Sequence, residues 1–287
     1  MNALSLNQIE NILGRKQHSN LANLGGKDLQ FKRILITGSA GSLGQALIER
    51  LKQFDGEILE TDIVEGYENL DITNQKSVQK VLDIFKPDLI LHLAGAKHAP
   101  EGEVNTWSTF EINTVGTKYL IDYMDKKCKL VLTSTCKATN PEVVYGASKL
   151  VAERMVLNIG GSVARFFNVI ETAGNVFEIW NKIPEKDPID VASICERHFI
   201  SLQESIGLII FTALEEPGRY IVNSSALIRM NEVAKRLYPE RKHNIINPRR
   251  GDRISEKFLA SSESIEKYLF ENTVIKVTSI HDSQTYK

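Results

Sequence analysis

Tyr145 and Lys149 are spaced one helical turn apart in YGASK, which puts a phenol and an ammonium group on the same face of a helix. A tyrosine near its ordinary pKa of about 10 is a poor base at neutral pH, and a neighbouring cation lowers that value. The pair therefore suits taking a proton from a hydroxyl as it is oxidised. Upstream, Thr135 closes the apolar run KLVLTST, where its hydroxyl could share the hydrogen bond to the same oxygen or simply end a strand. Cys136 and Lys137 follow. A neutral thiol, with a pKa of about 8.5, is a legitimate proton donor, and an amine serves as a base once its pKa falls towards about 7. The plainer readings are an apolar filler at Cys136 and a solvated side chain at Lys137.

Such residues need a frame. The short apolar runs 33–38, 57–62, 89–95, 129–135 and 163–169 read as strands buried on both faces, with helical patterns at 42–54, 76–86, 114–127 and 148–158 between them. That alternation predicts an α/β fold with a doubly wound parallel sheet. Beyond residue 169 it weakens: a helix at 201–214, a strand at 218–223 and a helix at 230–238 precede the basic loop NPRRGDR. We expect an N-terminal arm over 1–30, a dinucleotide-binding domain over 31–168, and a smaller substrate lobe over 169–287 that partly returns to the sheet.

The first turn carries the cofactor signal. In TGSAGSLG, Gly38 allows the tight turn, Gly41 admits a pyrophosphate and Gly44 lets helix and strand pack closely. Ser39, Ser42 and Leu43 complete the loop, whose free N–H groups lie at the positive end of a helix. Strand, glycine turn and helix together define a Rossmann-type unit. Asp62, at the end of EILETD, could accept both ribose hydroxyls, which favours NAD because a 2′-phosphate would be repelled. NADP stays open, since Lys32 or Arg33 could offset the acid. Asp71 and Ile72 either face the adenine or belong to the cap of the next helix, and Leu93, Ala94 and Gly95 follow a strand at the cofactor's edge.

Composition excludes other classes. With 35 Lys+Arg against 36 Asp+Glu, no overall field attracts nucleic acid or a membrane. The first residues lack the apolar core of a signal peptide, and no run of about 18 apolar residues occurs, so a cytoplasmic protein is expected. Cys128, Cys136 and Cys195 show neither zinc spacing nor a disulfide framework, and no metal site is expected.

TGxxGxxG with Tyr-x-x-x-Lys resembles the extended short-chain dehydrogenases/reductases. IENILGRK, HLAGAKHAP, STCKATNPEVVYGASK, RFFNV, ERHFISLQESIGLI and PRRGDRISEKFL narrow the resemblance to the UDP-N-acetylglucosamine 4,6-dehydratases of surface-polysaccharide biosynthesis, over nearly the whole chain. Three departures stand out. Cys136 replaces the acid of S-T-D-K, Ala96-Lys97-His98-Ala99-Pro100 replaces Y-K-H-V-P, and Arg249-Arg250-Gly251-Asp252-Arg253 replaces R-P-G-E-K.

The resemblance implies a UDP-sugar substrate, oxidation at C4 by way of Tyr145, Lys149 and Thr135, removal of the C5 proton by Lys137, and an acid at position 136 that protonates the departing C6 hydroxyl. It also implies that Glu256 touches the nucleoside. Asn168, Arg249 and Arg253 suit a pyrophosphate by their donors, while Lys97 and His98 stand where ligands of open α/β sheets bind; Arg197 is less firmly assigned. A homo-oligomer is expected. A 5,6-dehydratase would stop at the exocyclic alkene. A C4 epimerase or ketoreductase would not need Cys136 and Lys137, and a sensor would keep the fold without turnover.

Overall fold

The computed structural model describes residues 4–224 and 226–282. Its centre is a sheet built from β1 (Arg33–Thr37), β2 (Glu57–Asp62), β3 (Glu68–Asn69), β4 (Leu89–His92), β5 (Lys129–Thr135), β6 (Ser162–Phe166), β7 (Gly218–Val222), β8 (Glu263–Leu269) and β9 (Val274–Ser279). Among the described residues these nine strands run in the spatial order β8-β9-β7-β6-β5-β4-β1-β2-β3. Pairings from β3 through β7 are parallel, and β9 pairs antiparallel with both β7 and β8. The strand order reverses beside β1, which opens a crevice at the carboxyl ends of β1 and β4.

Alternation along the strands divides their side chains between two cores. Ile34, Ile36, Leu89, Leu91 and Val131 pack on one face, while Leu35, Ile90, Leu130 and Leu132 pack on the other. After the N-terminal helices α1 (Leu6–Leu13) and α2 (Ser19–Ala22), the first core is closed by α3 (Ser42–Arg50) and the apolar helix Leu202–Leu214; the second by α4 (Gln75–Phe85), α5 (Gly116–Tyr123) and α6 (Val144–Asn158). Burying both faces requires strands that are apolar throughout, and this is what the sequence shows.

Two boundaries differ from expectation. Helix α6 starts at Val144, four residues ahead of the predicted 148, so Tyr145 lies in its first turn. Its N-cap, Val143, offers no capping side chain; Glu103 instead accepts from the Val144 N–H at 2.8 Å. A cap supplied from a distant segment leaves no local start signal. Helix α5 ends at Tyr123 rather than 127, and a π-helical turn, Glu111–Val115, precedes it. The β8–β9 hairpin was not anticipated at all.

The lobe has its own core, in which Phe177, Trp180, Phe199, Val233 and Ala234 pack with Ile9, Ile12 and Leu13 from the N-terminal helix Leu6–Leu13. Leu21 packs instead in the first sheet core. Arg15 binds the buried Glu204 at 2.7 Å, which ties the same segment to the helix Leu202–Leu214. The arm thus joins the lobe to the sheet.

Candidate active site

The glycine turn has the shape a dinucleotide needs. Gly38 has φ +76°, and a Cβ there would meet the Ala94 nitrogen at 2.6 Å; at Gly44 it would stand 2.3 Å from the Gly38 carbonyl oxygen. Around Gly41 only that same oxygen, at 3.3 Å, lies near a Cβ position, so the outer side of the turn is open. Asp62 holds the loop from β2: Oδ2 accepts from the Ala40 N–H at 2.9 Å and Oδ1 from the Ile63 N–H at 2.8 Å. Ser39 is fully buried and donates to the Ile36 carbonyl, whereas Ser42 Oγ accepts from the Ala173 N–H at 3.0 Å. Leu43 is partly buried against the first core. The open turn at Gly41, flanked by the close-packed Gly38 and Gly44, fits a dinucleotide.

Asp71 and Ile72 both have structural duties. Asp71 Oδ1 accepts from the Thr73 N–H at 2.9 Å and its hydroxyl at 2.7 Å, and Ile72 packs in the second core against Gly116. Leu93, Ala94 and Gly95 leave the end of β4 next to Gly38 and Lys149, where a Cβ on Gly95 would lie 3.3 Å from Lys149 Nζ.

Lys149 is 4% exposed and donates to the Thr133 carbonyl at 3.0 Å. Burial lowers its pKa to about 8, against the opposing pull of Glu153 one turn further on. Burial raises the pKa of the Tyr145 phenol, and the neighbouring Lys137 and Thr135 oppose that rise. The cation that acts on the phenol is Lys137, not the Lys149 expected from the helix spacing.

Cys136, Lys137 and Ala138 form a single 3-10 turn after β5. Gly146 makes room for that turn, since a Cβ would lie 2.4 Å from the Lys137 carbonyl oxygen. Cys136 is 1% exposed in the first core, and its thiol is pushed up to about 12, chiefly by burial and then by Glu256. The structure does not bring this thiol to a surface a substrate could reach. Lys137 differs from expectation as well. Burial alone would lower its pKa, but Glu256 Oε1 accepts from Nζ at 2.9 Å and the net direction is upward. Lys137 is therefore an ammonium ion here, not the lowered amine that a base requires.

A cleft of about 610 Å³ lies against this set, lined by Lys97, His98, Lys137, Asn168, Arg197 and Arg249 together with apolar lobe residues. Lys97 Nζ donates to the Ala173 carbonyl at 3.0 Å, and His98 is exposed at the rim. Arg249 is held by Asp252 at 3.1 Å. Arg197 donates to the Arg253 carbonyl at 2.6 Å. Arg253 is 4% exposed; Glu142 stands 3.7 Å from its Nε, and among the described residues Nη1 has no hydrogen-bond partner, which leaves a donor for an anion. Glu256, 2% exposed, stands behind the cleft wall as the partner of Lys137, so the nucleoside contact implied by resemblance is not what the geometry displays. Cys195 lines the lobe side of the cleft, and Cys128 is buried far from it beneath α4.

Sequence reading missed Asn113. It is fully buried in the π-helical turn, accepts from the Ala96 N–H at 2.9 Å, and donates to the Ala96 carbonyl and Ser148 Oγ at 3.0 Å each. It thereby fixes the loop after β4 to helix α6. A polar residue inside an apolar helical stretch was the available signal, because π turns gather at functional sites. Also missed was the pairing of Glu153 with Arg165 at 2.6 Å and with Arg219 at 3.0 Å, completed by Ser134 donating to Glu153 at 2.6 Å.

A doubly wound sheet with an open glycine turn and a Thr135–Tyr145–Lys149 set defines a short-chain dehydrogenase/reductase of the extended type. The chain belongs to the polysaccharide biosynthesis protein family, whose pattern it matches over residues 63–278. It is 27% identical to the capsular polysaccharide biosynthesis protein CapD of Staphylococcus aureus, over 94% of this chain and 52% of that protein. It thus spans about half of that relative's length. It is 28% identical to a UDP-N-acetylglucosamine 4,6-dehydratase (inverting) of Campylobacter jejuni, over 84% of this chain and 81% of that one. Among solved structures, Pen from Bacillus thuringiensis superposes with a TM-score of 0.78 at 23% identity, covering 89% of this chain and 90% of that one. Among the described residues, no helix is long and apolar enough to cross a membrane.

Proposed function

We propose that this protein dehydrates a UDP-sugar, UDP-N-acetylglucosamine or a close relative, with a nicotinamide dinucleotide that Asp62 selects as NAD. The observation that carries the reading is the convergence of Thr135 and Tyr145 with Lys137, which lines a cleft together with Arg197 and Arg249, while Arg197 is held by the Arg253 carbonyl. When bound, the dinucleotide supplies a hydride acceptor. Tyr145, oriented by Thr135, takes the proton from the C4 hydroxyl, and Lys149 holds the nicotinamide ribose edge. The resulting ketone acidifies the C5 proton, and Lys137, at the cleft wall, gives its ammonium proton to the C6 hydroxyl, which leaves as water, and recovers a proton from C5. The relatives named as dehydratases support this reading. So does the cationic lining, which suits a diphosphate.

A second reading, C4 epimerase or ketoreductase, is favoured by one observation: Cys136 is buried and Lys137 is paired, so the elimination residues are the least prepared of the set. NMR of the product formed in heavy water separates the two. Dehydration puts deuterium at C5 and removes the C6 hydroxyl, and a 5,6-dehydratase leaves an alkene instead. Epimerisation leaves C5 unlabelled. No conversion of any UDP-sugar would favour a non-catalytic sensor. A homo-oligomer working in the cytoplasm, without nucleic acid or membrane partners, completes the proposal.

A further inference from the structure

Glu256 is buried among three partners drawn from separate parts of the chain. Oε1 accepts from Lys137 Nζ at 2.9 Å, Oε2 accepts from Asn168 Nδ2 at 2.6 Å, and Arg197 Nε stands 3.7 Å away. Asn168 Oδ1 in turn accepts from Lys137 Nζ at 3.2 Å, which closes a triangle around the ammonium. The Cys136 thiol faces the same carboxylate.

We propose that Glu256 is the positioning residue of this site: its carboxylate occupies the polar role left empty by Cys136, fixing Lys137 as a cation aimed at the cleft. A buried carboxylate keeps its charge when it is matched by a cation and by further donors, and all of these are present here. Of the set, Lys137, Asn168 and Arg197 line the cleft, so Glu256 acts through them and does not touch a ligand. An aspartate at position 136 would set a second carboxylate against Glu256, and two buried acids so placed share a proton. Cysteine avoids that repulsion and leaves Glu256 an ionised partner for Lys137.

The charged and titratable groups that face this centre come from every element around it. They are Cys136 on the 3-10 turn, Tyr145 on α6, Arg197 and His198 on the lobe, and Arg253 with Glu256 on the basic loop. Burial raises the pKa of both the Tyr145 phenol and the Cys136 thiol, and His198 carries no negative charge in either form, so Glu256 is the carboxylate counter-ion of this centre.

The inference rests on the cleft being the reaction site only for its catalytic consequence; its test needs no sugar. Protein labelled with ¹³C at lysine Cε is titrated by NMR, with the Lys137 signal assigned from a Lys137→Arg variant. In the parent that signal should stay in its charged position up to about pH 11, beyond the ordinary lysine value. In Glu256→Gln, burial would act unopposed and the midpoint should drop by about three units or more. Glu256→Asp should restore much of the parental behaviour. A parental midpoint at or below that of exposed lysines overturns the proposal, as does an unmoved midpoint in Glu256→Gln. If Glu256→Gln does not fold, the parent and Glu256→Asp titrations decide. A failed search for turnover would leave these results intact.

Discussion

Lys149 Nζ donates to the Thr133 carbonyl at 3.0 Å, so the helix that carries Tyr145 is pinned to the strand that carries Thr135. The pin fixes the register of Tyr145 against the end of the strand that carries Thr135. The lysine is held by backbone from one side and by the charge of Glu153 from the other.

Tyr145→Phe should abolish hydride transfer while leaving dinucleotide affinity within about threefold of the parent, because only the proton acceptor is lost. Calorimetry and cofactor absorbance measure the two separately. Retained turnover would assign the base elsewhere. Lys149→Ala should lower both.

Asp62→Asn should narrow the preference for NAD over NADP by about tenfold or more, roughly 1.4 kcal/mol, by removing the charge that repels a 2′-phosphate. Because Asp62 also accepts from the Ala40 N–H, NAD binding should itself weaken. Equal or tighter NADP binding by the parent would contradict the assignment.

Glu153 is depressed to about 2 in the folded chain from an ordinary 4.5, with Arg165 the leading stabilising partner against the cost of burial. A carboxyl shifted downward contributes stability that is fully present above its unfolded value. That contribution, about 3 kcal/mol, is lost as pH falls from about 4.5 through about 2. Acid denaturation should steepen in that window, and Glu153→Gln should flatten it. At neutral pH the variant should lose about 3–5 kcal/mol, since Arg165 and Arg219 are left buried with less counter-charge. Urea denaturation at several pH values tests both statements.

Cys136→Ala should keep its turnover within about threefold, because the thiol is walled off from the cleft; a loss of about a hundredfold would restore it as the proton donor. Lys137→Ala should stop C5 exchange and elimination together while leaving the oxidation step.

Much of this was legible in the chain. Doubly buried strands write continuous apolar runs such as RILIT and LILH, and TGSAGSLG lies between such a strand and its helix. The β8–β9 hairpin escaped because most of β8 faces solvent and its apolar residues do not mark a buried strand. The start of α6 escaped because Glu103 caps it from a distant loop. The state of Lys137 escaped for a related reason. Sequence placed Lys137 and Glu256 in separate motifs, and only folding sets the carboxylate 2.9 Å from the amine and so reverses the pKa shift that burial alone would cause.

The most direct test of the central claim is mass spectrometry of the purified protein incubated with NAD and a panel of UDP-sugars, UDP-N-acetylglucosamine first. The account predicts a product lighter than its substrate by one water, formed by the parent and absent with Tyr145→Phe. A product of unchanged mass, or no product from any UDP-sugar, would contradict it.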